Sequence, residues 1–178
     1  MTKETPSIES DRLTLEPFSD VYLSERYVGW LNDPEIVRYA EPRHRNHSLE
    51  SSRAFMESFS GSASHFWAVV AHDPALGHIG NIHAEVGPTN RVVDVTIVIG
   101  DTSARGQGYG LEAFRTACDW LLDEGGMRKV TTGTLALNEG MLAIMAKMNM
   151  VDDGIRRAHV LIDGAPVDIV HAALFADE

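Results

Sequence analysis

The sequence predicts a single mixed α/β domain: a mostly antiparallel sheet with one strand–helix–strand crossover at its centre. Three observations carry this. Apolar, partly β-branched runs at residues 66–71, 79–86 and 92–99 are joined by the short turn-like links Asp73-Pro74-Ala75-Leu76-Gly77 and Gly87-Pro88-Thr89-Asn90, the pattern of an antiparallel meander. The period then changes. Leu111, Phe114, Ala117, Cys118, Leu121 and Leu122 recur at helical spacing until Gly125-Gly126, and residues 129–135 read as a strand again. Two last strand-like runs, 154–162 and 166–173, flank the turn Asp163-Gly164.

The remaining elements follow from local chemistry. Residues 12–16 alternate, with Leu13 and Leu15 on one face and Arg12, Thr14 and Glu16 on the other. Ser19 and Asp20 offer an N-cap for a helix through Leu31. Asn32-Asp33-Pro34 breaks it, and Pro34 can open a short helix to Tyr39. Residues 41–47 read as a polar loop, Ser48 caps a helix over 49–59, and residues 139–148 read as a last helix. Leaving out the short 34–39 helix, the expected order is β-α-α-β-β-β-α-β-α-β-β, with ligands expected where the strands flanking the crossover end.

The 178-residue length fits one domain, and the composition, 44% hydrophobic and 23% charged, is that of a water-soluble globule. Net charge of −11 argues against a nucleic-acid partner, because phosphate binding wants a basic face. The first residues carry no apolar signal region, no run is long enough to span a membrane, and the single cysteine, Cys118, can form no internal disulfide. A cytoplasmic protein without a membrane partner is expected.

The chemistry is concentrated in Arg105-Gly106-Gln107-Gly108-Tyr109-Gly110, between the 92–99 strand and the helix. Three alternate glycines leave backbone N–H groups unobstructed at the positive end of a helix dipole, and Arg105 adds a fixed charge; a pyrophosphate suits this cradle. No Gly-Lys pair exists, so the segment is not a P-loop. Gly108-Tyr109-Gly110-Leu111-Glu112-Ala113 matches the dinucleotide pattern, but a loop separates it from the strand and the next strand does not end in a ribose-binding acid. The acyl-CoA pattern Arg/Gln-x-x-Gly-x-Gly/Ala is met at every specified position.

With this motif and this order of elements, the chain resembles the GNAT superfamily of N-acetyltransferases over residues 11–173, leaving 1–10 as an N-terminal extension and 174–178 as a tail. It looks closest to the branch related to ribosomal-protein and nucleotide-sugar N-acetyltransferases, which tends to carry stretches like Trp30-Leu31-Asn32-Asp33-Pro34-Glu35-Ile36-Val37-Arg38-Tyr39 and Ile79-Gly80-Asn81-Ile82. The resemblance implies acetyl-CoA as co-substrate and no metal. It implies pantetheine contacts from Val98, Ile99 and Gly100, a pyrophosphate cradle from Arg105, Gly106, Gln107, Gly108, Tyr109 and Gly110, a pantetheine-side contact from Asn138 and a CoA phosphate contact from Lys147. Acceptor contacts are expected from Trp30, Arg38, Tyr39 and Asn81.

The reaction is attack of a neutral amine on a thioester, so a base must take a proton. Asp94 stands where histone-type members carry a catalytic glutamate; His83 and Glu85 share one face of the preceding strand and are the other candidates. Met145 stands where many members place a tyrosine that protonates the leaving sulfur, so no strong general acid is expected there. The 38–53 segment, with Arg38, Arg43, Arg45 and Arg53, is basic and suggests an anionic acceptor such as a nucleotide-linked amino sugar. A small-molecule amine is therefore the expected partner. A protein N-terminal or lysine amine, or a non-catalytic acyl-CoA sensor, are the alternatives, and the paired C-terminal strands could support a homodimer.

Overall fold

The computed structural model describes residues 4–177. The elements are β1 (Ile8–Glu9), β2 (Leu13–Pro17), α1 (Glu25–Asn32), a 3-10 turn (Glu41–His44), α2 (Leu49–Glu57), β3 (His65–Ala71), β4 (His78–Gly87), β5 (Val92–Ile99), a 3-10 turn (Thr102–Ala104), α3 (Tyr109–Asp123), β6 (Lys129–Leu135), α4 (Glu139–Lys147), β7 (Val151–Ile162) and β8 (Ala165–Phe175). They form one eight-stranded sheet in the order β1-β2-β3-β4-β5-β6-β8-β7. Neighbours pair antiparallel except β5 and β6, which α3 links as a parallel crossover. The expected mixed α/β domain is the observed one.

Strand alternation divides the core between two faces. Trp67 and Val69 of β3, Val93 and Val95 of β5, and Val130 of β6 join Phe114, Ala117, Cys118 and Leu121 of α3 in the larger cluster. Phe66 and Ala68, one residue out of phase, join Phe18, Tyr27, Trp30 and Leu31 on the α1 face. Burial pushes the Cys118 thiol well up, leaving it a packed apolar group.

The N-terminal half departs from expectation at two places. α1 begins at Glu25, capped by the Ser24 side chain, which accepts from the Tyr27 N–H at 3.2 Å. Residues 34–39 form turns instead of a helix: Asp33 Oδ1 accepts from the Glu35 N–H at 2.9 Å, and the Asp33 carbonyl takes the N–H groups of Ile36 and Val37. An aspartate that satisfies the backbone locally competes with helix propagation. The sheet also extends beyond residues 11–173. β1 pairs with β2, the Trp67 indole N–H donates to the Pro6 carbonyl at 2.8 Å, and Leu174 pairs with Val130. No helix among the described residues is long and apolar enough to cross a membrane.

Candidate active site

β5 and β6 pair over only three positions, Val92 with Lys129, Val93 with Val130 and Asp94 with Thr131. Beyond them each strand follows its outer neighbour: β5 stays on β4 as far as Gly80–Ile99, and β6 stays on β8 as far as Leu135–Ile169. The strands therefore fork. Thr96, Ile97, Val98 and Ile99 on one prong and Thr132, Gly133, Thr134 and Leu135 on the other line a cleft of about 620 Å³ that the N-terminal end of α3 and α4 complete. Among the described residues the β5 edge facing this cleft has no strand partner past Asp94, so its backbone polar groups are available to a ligand.

At the far end of β5 the Gly100 and Asp101 N–H groups both donate to the Ile79 carbonyl, at 2.9 and 3.0 Å. Gly106 and Gly108 adopt φ of 73° and 86°, the left-handed region that glycine alone enters without strain. Among the described residues the N–H groups of Gly106, Gln107 and Gly108 find no acceptor, and those of Tyr109 and Gly110 are the free donors of a helix start. Gly106, Gly108 and Gly110 line the cleft. The Gln107 and Tyr109 side chains do not. Gln107 Nε2 donates to the Ser103 carbonyl at 2.6 Å, and Tyr109 is buried beneath the Arg12 guanidinium, 4.6 Å from the ring centroid. Arg12 also donates to the Gln107 carbonyl at 3.0 Å and to Glu112 at 2.7 Å, tying β2 to the cradle.

Arg105 lines the cleft and donates to the Ile99 carbonyl at 2.9 Å. Asn138 caps α4, accepting from the Met141 N–H at 3.3 Å while its amide donates to Thr134 Oγ1 at 2.9 Å; it and Lys147 both face the cleft. Gly100 has a different use. A Cβ there would fall 2.0 Å from the Trp30 ring, so the indole lies directly on the backbone at the end of β5. Trp30 is thus buried behind the cleft, in contact with Gly100, Tyr27 and His78, and does not line it.

The catalytic candidates share one face. The register sets Asn81, His83 and Glu85 of β4 opposite Val98, Thr96 and Asp94 of β5, on the side covered by α1 and α2. Asp94 sits at the apex of the fork and accepts a 2.8 Å hydrogen bond from Thr131 Oγ1. Desolvation where it lies against the sheet raises its pKa from the ordinary aspartate value; the Thr131 bond opposes this, Glu85 adds to it, and the charges of His171 and Arg156 oppose it. His83 packs between Phe55 and Phe59, ring centroids 5.7 and 6.2 Å away, and its burial lowers its pKa, keeping the imidazole neutral at pH 7. Glu85 is exposed, 4.0 Å from His83 Nε2. Asn81 is buried with its Oδ1 unpartnered.

Tyr39 lines the cleft together with Glu35, Ile36 and Glu41. The arginines turn the other way. Arg38, Arg43 and Arg45 line a separate pocket of about 530 Å³ between residues 34–46 and the β7–β8 hairpin tip, where Arg38 stands 3.9 Å from Asp163. Met145 is buried in the core, while Met141, Ala143 and Ile144 present α4 to the cleft without a hydroxyl. The sequence reasoning passed over Thr131 and His171. Thr131 follows from the parallel register and has no motif; His171 lies in a strand whose alternation was legible but whose partners were not.

The family model for the acetyltransferase (GNAT) domain matches residues 12–151. No curated protein sequence matches the chain. Among solved structures, an acetyltransferase (GNAT family) from Bacillus anthracis is 16% identical with a TM-score of 0.81, over 97% of this chain and 100% of the other. RimL, a ribosomal L7/L12 alpha-N-protein acetyltransferase solved with coenzyme A, is 14% identical with a TM-score of 0.83, over 97% and 99%. Spermidine N-acetyltransferase from Vibrio cholerae, solved with CoA and spermine, is 17% identical with a TM-score of 0.80, over 92% and 95%. The chain belongs to the GNAT acetyltransferase family, and it is an acetyl-CoA-dependent N-acetyltransferase.

Proposed function

We propose that this enzyme, in the cytoplasm, transfers acetyl from acetyl-CoA to the primary amine of a small molecule by direct attack, the acceptor being an amino sugar or a nucleotide-linked amino sugar. The observation that carries the reading is the fork itself, with a cradle of free N–H groups at one end and Asp94 at its apex. The N–H groups from Gly106 to Gly110 and the start of α3 hold the pyrophosphate, with Arg105 and Lys147 adding positive charge. The unpaired edge of β5 at Val98 and Ile99 binds the pantetheine arm, with Asn138 across the cleft. A β5 N–H facing the thioester oxygen stabilises the charge that develops on it. Asp94 engages the incoming amine. The leaving thiolate needs no tyrosine, because a thiol of pKa about 8.5 is a fair leaving group.

The acceptor assignment draws support from the outer pocket. A single loop separates its arginines from the cleft, so an anionic extension of a bound amino sugar can meet Arg38, Arg43 or Arg45. A protein or peptide amine is the second reading, favoured by Glu35 and Glu41 at the cleft mouth. Coenzyme A release, followed with a thiol reagent over nucleotide-linked amino sugars, free amino sugars, polyamines and short peptides, tests the reading against a no-acceptor blank. Turnover on an amino sugar that Arg45→Ala weakens supports the first acceptor class. Turnover on peptides alone moves the enzyme to the second. No turnover with tight acetyl-CoA binding refutes both acceptor classes, leaving an acceptor outside the panel or a sensor.

A further inference from the structure

His171 lies opposite a glycine on both sides, Gly133 of β6 and Gly154 of β7. The ring uses only one of these openings. A Cβ at Gly133 would fall 2.8 Å from His171 Cε1 and 2.9 Å from Nδ1, whereas one at Gly154 would meet nothing within 4 Å. The imidazole therefore leans across β6 toward the fork, its Nδ1 and Cε1 over Gly133, which lines the cleft; His171 itself stands behind Gly133 and does not line it. Its Nε2 is buried without a hydrogen-bond partner among the described residues, an expensive state for a polar atom that does nothing else. One strand further on stands Asp94, whose carboxylate feels the His171 charge. The other groups facing this spot are Glu85 and His83 from β4 and Arg156 from β7, with the Thr131 hydroxyl from β6.

We propose that His171 is a further proton-handling residue of the transfer site: from behind Gly133 its imidazole takes, through a bridging water, the proton the acceptor amine releases, and Asp94 stabilises the imidazolium that forms. The proposal rests on the N-acetyl-transfer reading above. Imidazole is the side chain whose charge changes between pH 5 and 8, so it accepts and returns a proton near neutrality more readily than a carboxylate. The step balances. The amine lone pair forms the N–C bond, its proton passes to His171, the C–S bond breaks with its electron pair on sulfur, and the imidazolium returns the proton to the thiolate. One imidazole then serves as base and acid, which fits an α4 that presents no hydroxyl to the cleft.

The test uses His171→Gln, His171→Asn and Asp94→Asn in the full chain. Both His171 variants are expected to keep acetyl-CoA affinity within about threefold, lose about 100-fold or more in kcat, and lose the acidic limb of the kcat/KM profile. A kcat within threefold of wild type, or an unchanged limb in a variant that still turns over, overturns the proposal. A second measurement needs no turnover: the ring signal of His171, assigned by its absence in His171→Gln, is compared by NMR in wild type and Asp94→Asn at fixed pH. Loss of the carboxylate is expected to displace that signal. An undisplaced signal overturns the pairing even if every acceptor fails, and failure of every acceptor bears separately on the acceptor reading above.

Discussion

Replacing Gly100 by alanine tests how the end of β5 is held. Gly100 is not among the glycines with positive φ, so the backbone accepts a side chain and the cost is steric alone. The new Cβ would stand 2.0, 2.3 and 2.5 Å from Cδ2, Cε3 and Cγ of Trp30, well inside van der Waals contact. The indole cannot swing away freely, because Tyr27 and His78 pack on it with centroids 6.4 and 5.1 Å away and the Arg26 guanidinium lies 5.0 Å above it. Overpacking of this kind costs about 1–3 kcal/mol. At about 2–4 °C per kcal/mol for a chain of this size, Tm falls by about 2–12 °C. The same displacement moves the β5 edge and raises KM for acetyl-CoA. In a Trp30→Ala background the methyl meets none of those atoms, so Gly100→Ala costs nothing further there, and a thermal double-mutant cycle returns a coupling of about 1 kcal/mol or more. Equal costs in both backgrounds, or no cost in the wild type, would refute the reasoning.

Gly106→Ala is the counterpart in which space is free and the backbone is not. Its Cβ meets nothing within 4 Å, but φ of 73° strains an L-residue by about 1–2 kcal/mol, so acetyl-CoA titration calorimetry is expected to show weaker binding with a small loss in Tm. Burial among aromatic rings lowers His78 from 6.5 to about 4, against the opposing bond to the Gly80 carbonyl; its folded-state stabilisation is complete above pH 6.5 and is lost as pH falls toward 4. Wild type should lose about 3 kcal/mol across that window from this residue, and denaturant unfolding of His78→Phe should show that slope removed. Burial alone would raise Glu112, but hydrogen bonds from the Arg12 N–H, the Ser10 hydroxyl and the Arg12 guanidinium hold it below the usual range. Its contribution is present above the ordinary glutamate pKa and lost as pH falls through the depressed one, so the Tm gap between wild type and Glu112→Gln should close in acid.

Strands and crossover were legible because their signals are local. β5 and β6 run over the residues that alternation and turn chemistry assign to them, since the flanking Asn90 and Gly125-Gly126 leave little choice of end. The stretch from 19 to 40 was less legible, because Ser19, Asp20, Ser24 and Asp33 all have capping chemistry and only packing decides among them. Ser24 wins where Tyr27 and Trp30 reach the second core, and Asp33 spends its oxygen on a turn. β1 was missed because two residues carry no period; its strand character comes from pairing with β2 and from the Trp67 bond to Pro6.

The candidate site divides along the same line. The cradle is read in sequence because its chemistry is backbone chemistry, fixed by consecutive glycines ahead of one helix. The acceptor side is assembled from β4, β5, β6 and β8, which meet only through register. A period of two places His83 and Glu85 on one face, but nothing in the order of residues says that Asp94 will lie beside Thr131 at the last paired position, or that the strands part immediately after it. His171 is the extreme case. Its neighbours Gly133 and Gly154 are distant in sequence and individually look like strand-weakening residues. Only one of them matters to the ring: a Cβ at Gly154 would meet nothing within 4 Å, while the missing side chain at Gly133 lets an imidazole from the fourth strand of the group lean toward the fork. A residue whose role depends on a side chain absent from a neighbouring strand leaves no motif, so the search for proton-handling groups in such a fork has to begin from the glycines on its floor.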